Sequence, residues 1–215
     1  FLFSAMRHFA KELESVGWNV DLVTLDVPEN THSFGGEVNR AISRHKPEAL
    51  IVTEPGDWRV METMRSWQDK LERPVEILPD TRFIATHEEF RSWADNRKQL
   101  RMEYFYSDMR RKTRLLMDGD EPEGGKWNFD AENRKPANHD LFMPQPKQFT
   151  PDTITSEVID LVAKEFGDHF GDLEPFWFAV TSEQAEQALE TFLDEALEHF
   201  GDYQDAMLFG ERFLY

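Results

Sequence analysis

The sequence predicts an α/β protein: a parallel sheet layered with helices, then a long irregular connection, then an all-helical region. Short apolar runs at 20–25 (VDLVTL), 49–54 (ALIVTE) and 75–78 (VEIL) alternate with stretches of helical periodicity, the pattern of a parallel sheet covered on both faces. Residues 118–150 hold seven prolines and glycines and follow neither period. Helical spacing resumes after them.

Taken in order, the apolar opening Phe1-Leu2-Phe3 reads as the tail of a further strand. Helical spacing follows at 5–16, 34–44 and 58–71, with Gly17 and Pro47 where helix stops belong. In SFGGE (33–37) the paired glycines suit the entry to a helix better than a phosphate cradle. From His87 the pattern is helical without strands: a short helix in HEEFRSWAD, then a longer one over 102–117 whose polar side holds RRKTR. A connection as long as 118–150 is uncommon inside a compact domain and marks a functional loop or a link between domains. Thr150 and Pro151 suit the cap and first turn of a helix in DTITSEVIDLVAKEF. Thr181 to Gln184 forms a capping box opening AEQALETFLDEALEHF, with Gly201 as its stop.

Composition narrows the function classes. The 215 residues are 40% hydrophobic and 13% aromatic, enough for packed cores. No apolar run approaches the length that spans a bilayer. The chain has no cysteine, which removes disulfides, thiolate metal sites and cysteine nucleophiles, and is compatible with a cytoplasmic location. It opens without Met and stops on an apolar note, and is expected to be a piece of a longer protein. Net charge is −18, yet unevenly spread. Residues 152–215 carry 16 acids against two bases, whereas 97–114 carry seven bases against two acids. The basic segment is either a solvated helix face or an electrostatic contact for nucleic acid.

The seven histidines make no HExxH pair and no carboxylate cluster, so zinc hydrolysis is not indicated, and no nucleophile elbow or phosphate loop appears. Two stretches stand out. TEPGDWRV (53–60) lies at the carboxyl end of a predicted strand, the edge where open parallel sheets collect ligands. There Gly56 permits unusual backbone angles and Asp57 can cap the next helix; the alternative is a plain strand–turn–helix joint with Trp58 as packing. GGKWNFDAENRKP (124–136) sets Trp127 and Phe129 as anchors beside Asp130 and Arg134. An arginine fork bonds two acceptors of a phosphate or a base edge at once, and a nearby Asp can orient it. The alternative is an inter-domain clasp of structural ion pairs.

FLFSAMRHFA, VTEPGDWRV, RKQLRMEYFYSDMRRKTRLLMDG, GGKWNFDAENRKP, FGDLEPFWFAVT and FGDYQDAM together closely resemble the deoxyribodipyrimidine photolyase-related proteins, over essentially the whole chain. This is the bacterial iron–sulfur branch of the photolyase and cryptochrome family, with (6-4) photolyases among its members. The resemblance implies a fragment lacking both ends. Residues 1–117 would be an incomplete Rossmann-like parallel-sheet antenna domain without its N-terminal strand. Residues 118–150 would be the inter-domain loop, and 151–215 the beginning of an all-helical FAD-binding domain. The implied cofactors of the full protein are FAD, a ribityl lumazine antenna and a 4Fe-4S cluster, the last held by four cysteines outside this chain.

The function so implied is light-driven lyase chemistry on pyrimidine photoproducts, with damaged DNA as partner and no membrane. Catalytic residues and metal ligands would lie elsewhere in the full protein. Carried over residue by residue, Leu2, Gly56 and Asp57 fall on the antenna pocket, although many relatives carry Glu where this chain has Asp57. Asp130 and Arg134 fall on the loop that approaches the lesion. A cryptochrome-like photoreceptor and a non-enzymatic α/β binding module are the alternatives.

Overall fold

The computed structural model describes residues 1–133, Lys135 and residues 145–203. They form a mixed helical fold with a small parallel sheet, arranged in two compact units: Val27–Asn128, and Phe1–Asp26 together with Phe129–Tyr215.

In the Val27–Asn128 unit, helix α2 (Phe34–His45) starts at Ser33, whose side chain accepts from the Gly36 N–H. Glu37 accepts from the backbone and hydroxyl of Thr31, both at 2.7 Å, and pairs with Arg40 at 2.7 Å. This knot is so close that a Cβ on Gly36 would lie 2.2 Å from Thr31 Oγ1, which explains the second glycine of SFGGE. Strands β1 (Leu50–Thr53) and β2 (Val75–Leu78) pair in parallel, Leu50 opposite Val75 and Thr53 opposite Leu78. Helix α3 (Trp58–Lys70) joins them and buries Trp67 at 4% exposure. Helix α4 (His87–Ala94) opens with a capping box between Thr86 and Glu89 and packs on α5 (Met102–Thr113). Their contact is an aromatic cluster: Phe105 meets Phe90 at 5.2 Å and Trp93 at 5.0 Å, edge to face, while Trp93 Nε1 donates to Asp108 at 3.0 Å. Arg114, in the left-handed region, ends α5, and a short antiparallel pair follows, β3 (Met117–Asp118) with β4 (Glu121–Pro122).

In the other unit, α1 (Leu2–Ser15) packs on α6 (Thr153–Phe166) through its polar side. Ser4 Oγ meets Thr155 Oγ1 at 2.8 Å, with both residues fully buried. One turn on, His8 Nδ1 bonds the Ser4 carbonyl and Nε2 bonds Asp152, each at 2.8 Å, and Asp152 also caps α6 through the Thr155 N–H. Leu2, Met6 and Phe9, on the opposite side of α1, are each more than half exposed. Thr181 caps α7 (Ser182–Glu195), and α8 is Leu197–Tyr203. The rings of Phe1, Phe176, Trp177 and Phe178 pack together, and Phe1, Trp177 and Phe178 border, with α7, an apolar cavity of about 340 Å³.

Several expectations are corrected. Residues 20–25 form no strand: a strand exists by pairing, and no other described strand lies in their unit. Phe1-Leu2-Phe3 is no strand tail but the start of α1, where the Phe1 carbonyl accepts from Ala5 N–H. Asp152 rather than Thr150 caps α6, its charged carboxylate being the stronger acceptor, and Gly201 lies within α8 because the chain breaks earlier, at buried Ala196. Gln184 does not close the capping box on Thr181 but bonds the Val180 N–H, at 2.9 Å.

Candidate functional site

Two regions of the Val27–Asn128 unit carry dense polar chemistry. The first is the carboxyl edge of the parallel pair. Leaving β1, Glu54 accepts from the Asp80 N–H at 3.1 Å and meets His87 Nε2 at 3.1 Å. Asp57 caps α3 through the N–H groups of Arg59 (2.8 Å) and Val60 (3.2 Å), and its other oxygen pairs with the Arg59 guanidinium at 3.0 Å. The Arg59 side chain first, and these N–H groups after it, hold the Asp57 carboxyl below its ordinary value. Asp80 is held at about 2, chiefly by the Arg82 side chain and then by the Arg82 N–H. Each carboxylate of this edge thus already has a partner on the protein.

Gly56 sits beside Asp57 with open space where a Cβ would project, but it does not use the left-handed region. Trp58 is 70% exposed, so it does not pack as the plain strand–turn–helix alternative would have it, and the Arg65 guanidinium lies 5.4 Å from its ring centroid. Leu2, the third residue assigned to this region, belongs to the other unit and is 69% exposed on α1.

The second region joins α5 to the loop after β4. Arg111 lies 4.4 Å from the centroid of Trp127 and is held by Asp108 at 2.9 Å. Arg110 lies 5.3 Å from the same ring, is only 8% exposed, and donates to the Leu115 and Leu116 carbonyls. Leu116 O also accepts from Glu123 N–H, which fastens the β3–β4 hairpin to the helix end. Next to Trp127, Asn128 Nδ2 donates to Glu103 on α5 at 3.3 Å. The anchoring of Trp127 is therefore a cation–π clamp from α5. Phe129 is 46% exposed and Asp130 is exposed, while Arg134 lies outside the described residues.

The basic segment is not a bare cationic face. Lys112 pairs with Glu89, Arg114 with Asp120 at 3.0 Å, and Arg97 stacks on Trp93 at 4.5 Å. Sequence reading missed Arg110 as a buried anchor and Glu54 as the hub of the sheet edge. Both roles depend on partners brought together by tertiary packing, and spacing carries no signal for them. Among the described residues no group of three or more His, Asp or Glu is placed to hold a metal ion, and no helix is long and apolar enough to cross a membrane.

These features define a mixed α/β protein with a hydrogen-bonded sheet edge and a cation-clamped aromatic loop. Comparison with known proteins narrows the class. A profile of the family described as deoxyribodipyrimidine photo-lyase-related protein matches residues 1–178. A (6-4) photolyase of Agrobacterium fabrum is 54% identical over 208 residues, covering 97% of this chain and 41% of that protein. An uncharacterized protein of Acanthamoeba polyphaga mimivirus is 24% identical over 151 residues, 66% of this chain and 72% of that protein. The chain belongs to the deoxyribodipyrimidine photo-lyase-related family. It spans less than half the length of the Agrobacterium enzyme.

Proposed function

We propose that the chain is part of a light-driven DNA-repair flavoprotein, a lyase that splits pyrimidine photoproducts of the (6-4) type. The observation that carries this reading is 54% identity over 97% of the chain to a (6-4) photolyase. When bound, reduced FAD would supply the electron that breaks the lesion. The residues of this chain would bind and orient. The arginine fork of Arg134 fits a phosphate or base edge of the lesion, and Asp130, four residues before it, fits the role of orienting that fork. A damaged pair leaves the stack at lower cost than an intact one, so contacts of this kind discriminate for damage.

Residues 1–117 are read as the antenna domain of a Rossmann-like sheet, 118–150 as the inter-domain loop and 151–215 as the start of the helical FAD domain. Gly56, with open space in place of a side chain, fits the wall of a site for a flat heteroaromatic antenna such as ribityl lumazine. Asp57 holds the turn beside it, and Leu2 is an exposed apolar side chain of the kind such a ring covers. The chain has no cysteine, so any 4Fe-4S cluster of the full protein would draw its thiolates from elsewhere. The cytoplasm is the compartment proposed.

The test is light-dependent restoration of a (6-4) photoproduct by the full-length protein with its flavin reduced. Restoration is expected. Unrepaired lesion under continuous light would turn the reading to a photoreceptor. In the same protein Arg134→Ala should weaken binding to lesion DNA more than to undamaged DNA, and equal losses would make Arg134 a general phosphate contact.

A further inference from the structure

We propose that His8 is a proton-dependent latch between α1 and α6, closed only while the imidazole carries both of its ring protons. The side chain is mostly buried, at 12% exposure. Its Nδ1 lies 2.8 Å from the Ser4 carbonyl and its Nε2 lies 2.8 Å from Asp152 Oδ2. A carbonyl oxygen only accepts, and so does a carboxylate. A neutral ring has one N–H and one bare nitrogen, so it sets a lone pair against one of these two oxygens. The imidazolium donates to both.

Asp152 supplies the fixed charge. Its carboxyl is held at about 2, so it stays ionised through the range, about pH 5 to 8, in which an ordinary histidine changes charge. Its two oxygens have separate tasks: Oδ1 accepts from the Thr155 N–H at the start of α6, and Oδ2 faces the ring. The neighbouring charges are engaged elsewhere. Arg7, beside His8 on α1, pairs with Glu157 of α6 at 3.7 Å and also acts on Asp26. Glu12, one turn on, accepts from Ser182 at 3.2 Å, and Lys164 of α6 pairs with Glu165 at 2.9 Å. The Ser4–Thr155 hydroxyl pair carries no charge. Loss of one ring proton therefore acts at a single point of the α1–α6 joint, where it turns an attraction into two opposed lone pairs.

The test uses the full-length protein and two readouts. In NMR of protein with isotope-labelled histidine, both ring nitrogens of His8 should resonate as protonated at about pH 7. One protonated and one bare nitrogen there overturns the proposal. Hydrogen exchange reads the consequence for the joint. Protection factors of the α1 amides should fall by about tenfold between about pH 5 and 8, the scale of a charge-assisted hydrogen bond. H8Q, whose side chain does not titrate, should show a lower protection that stays level. A fall in H8Q equal to that of the parent would assign the effect to other groups and refute the latch. D152N gives the sharpest contrast. Its Oδ1 can keep the cap while its amide nitrogen takes the place of Oδ2 and donates, which suits a neutral ring with its proton on Nδ1. The pH dependence should therefore reverse in D152N, with protection rising toward about pH 8. A D152N profile that still falls overturns the proposal even if H8Q does not fold.

Discussion

The hydroxyls of Ser4 and Thr155 meet at 2.8 Å in complete burial, and that pair lets α1 approach α6 without a large side chain between them. One hydroxyl donates and the other accepts, so neither is buried without a partner. Thr155→Val strands the Ser4 hydroxyl and should cost about 1–3 kcal/mol. Adding Ser4→Ala to it should recover part of that loss, since removing both partners is cheaper than removing one. Urea unfolding of Thr155→Val, of Ser4→Ala alone and of the double variant checks this, and simple additivity would show that the hydroxyl pair contributes nothing.

Gly36→Ala reverses the usual sign of a glycine substitution in a helix. Elsewhere the added methyl would stabilise by about 0.5–1 kcal/mol. Here the new Cβ would sit 2.2 Å from Thr31 Oγ1, 2.7 Å from Ser33 Oγ and 2.7 Å from Thr31 Cβ, and turning the hydroxyls away leaves the last of these contacts in place. A loss of about 1–3 kcal/mol is expected, read as a lower urea midpoint. Gly56→Ala, which meets open space, is the control and should be nearly neutral.

Acid should destabilise the fold in a defined window. Glu37 is held at about 2 against an ordinary 4.5, by the Thr31 backbone and hydroxyl and then Arg40. For Asp152, partial burial works upward but is outweighed by His8 and by the backbone and hydroxyl of Thr155, leaving it at about 2 against 3.8. Folded values below the unfolded ones mean that the unfolded chain takes up protons first. The stabilisation is complete above the unfolded values and is lost as pH falls from there toward 2. Stability measured between pH 5 and 2 should decline, and Glu37→Gln should flatten part of that decline. A flat profile in the parent chain would show these contacts absent in solution.

At the sheet edge, Asp57 serves α3 before it serves any ligand. Asp57→Ser keeps a capping oxygen and should preserve stability, whereas Asp57→Ala should cost about 1 kcal/mol. In the full-length protein the antenna content of the two variants separates roles. Equal content in Asp57→Ser and the parent would confine Asp57 to capping. Loss in Asp57→Ser with stability intact would give its carboxylate a direct contact.

Much of the helical layer was legible because caps and periods are local. Ser33, Asp57 and Thr181 announce their helices within four residues, and the β1 and β2 runs pair as their apolar content suggests. VDLVTL misled because an apolar run gains strand geometry only from a neighbour, and Phe1-Leu2-Phe3 because three residues carry no period. The clamp was half legible. Trp127 is conspicuous in the loop, but its partners Arg110 and Arg111 read only as part of a basic run. Nothing in that run tells which arginine is buried, because burial depends on where the β3–β4 hairpin folds back.

α1 wears its coat inside out. Its hydroxyl, imidazole and guanidinium groups lie on the α6 side, leaving Leu2, Met6 and Phe9 as an oily seam on the outside. Such a seam wets poorly and sticks to plastics, dyes and other proteins alike. Handled by itself, the 215-residue chain will therefore behave as an adhesive, and any retention on DNA or on a lumazine resin has to exceed that of a Met6→Gln, Phe9→Gln variant before it counts as recognition.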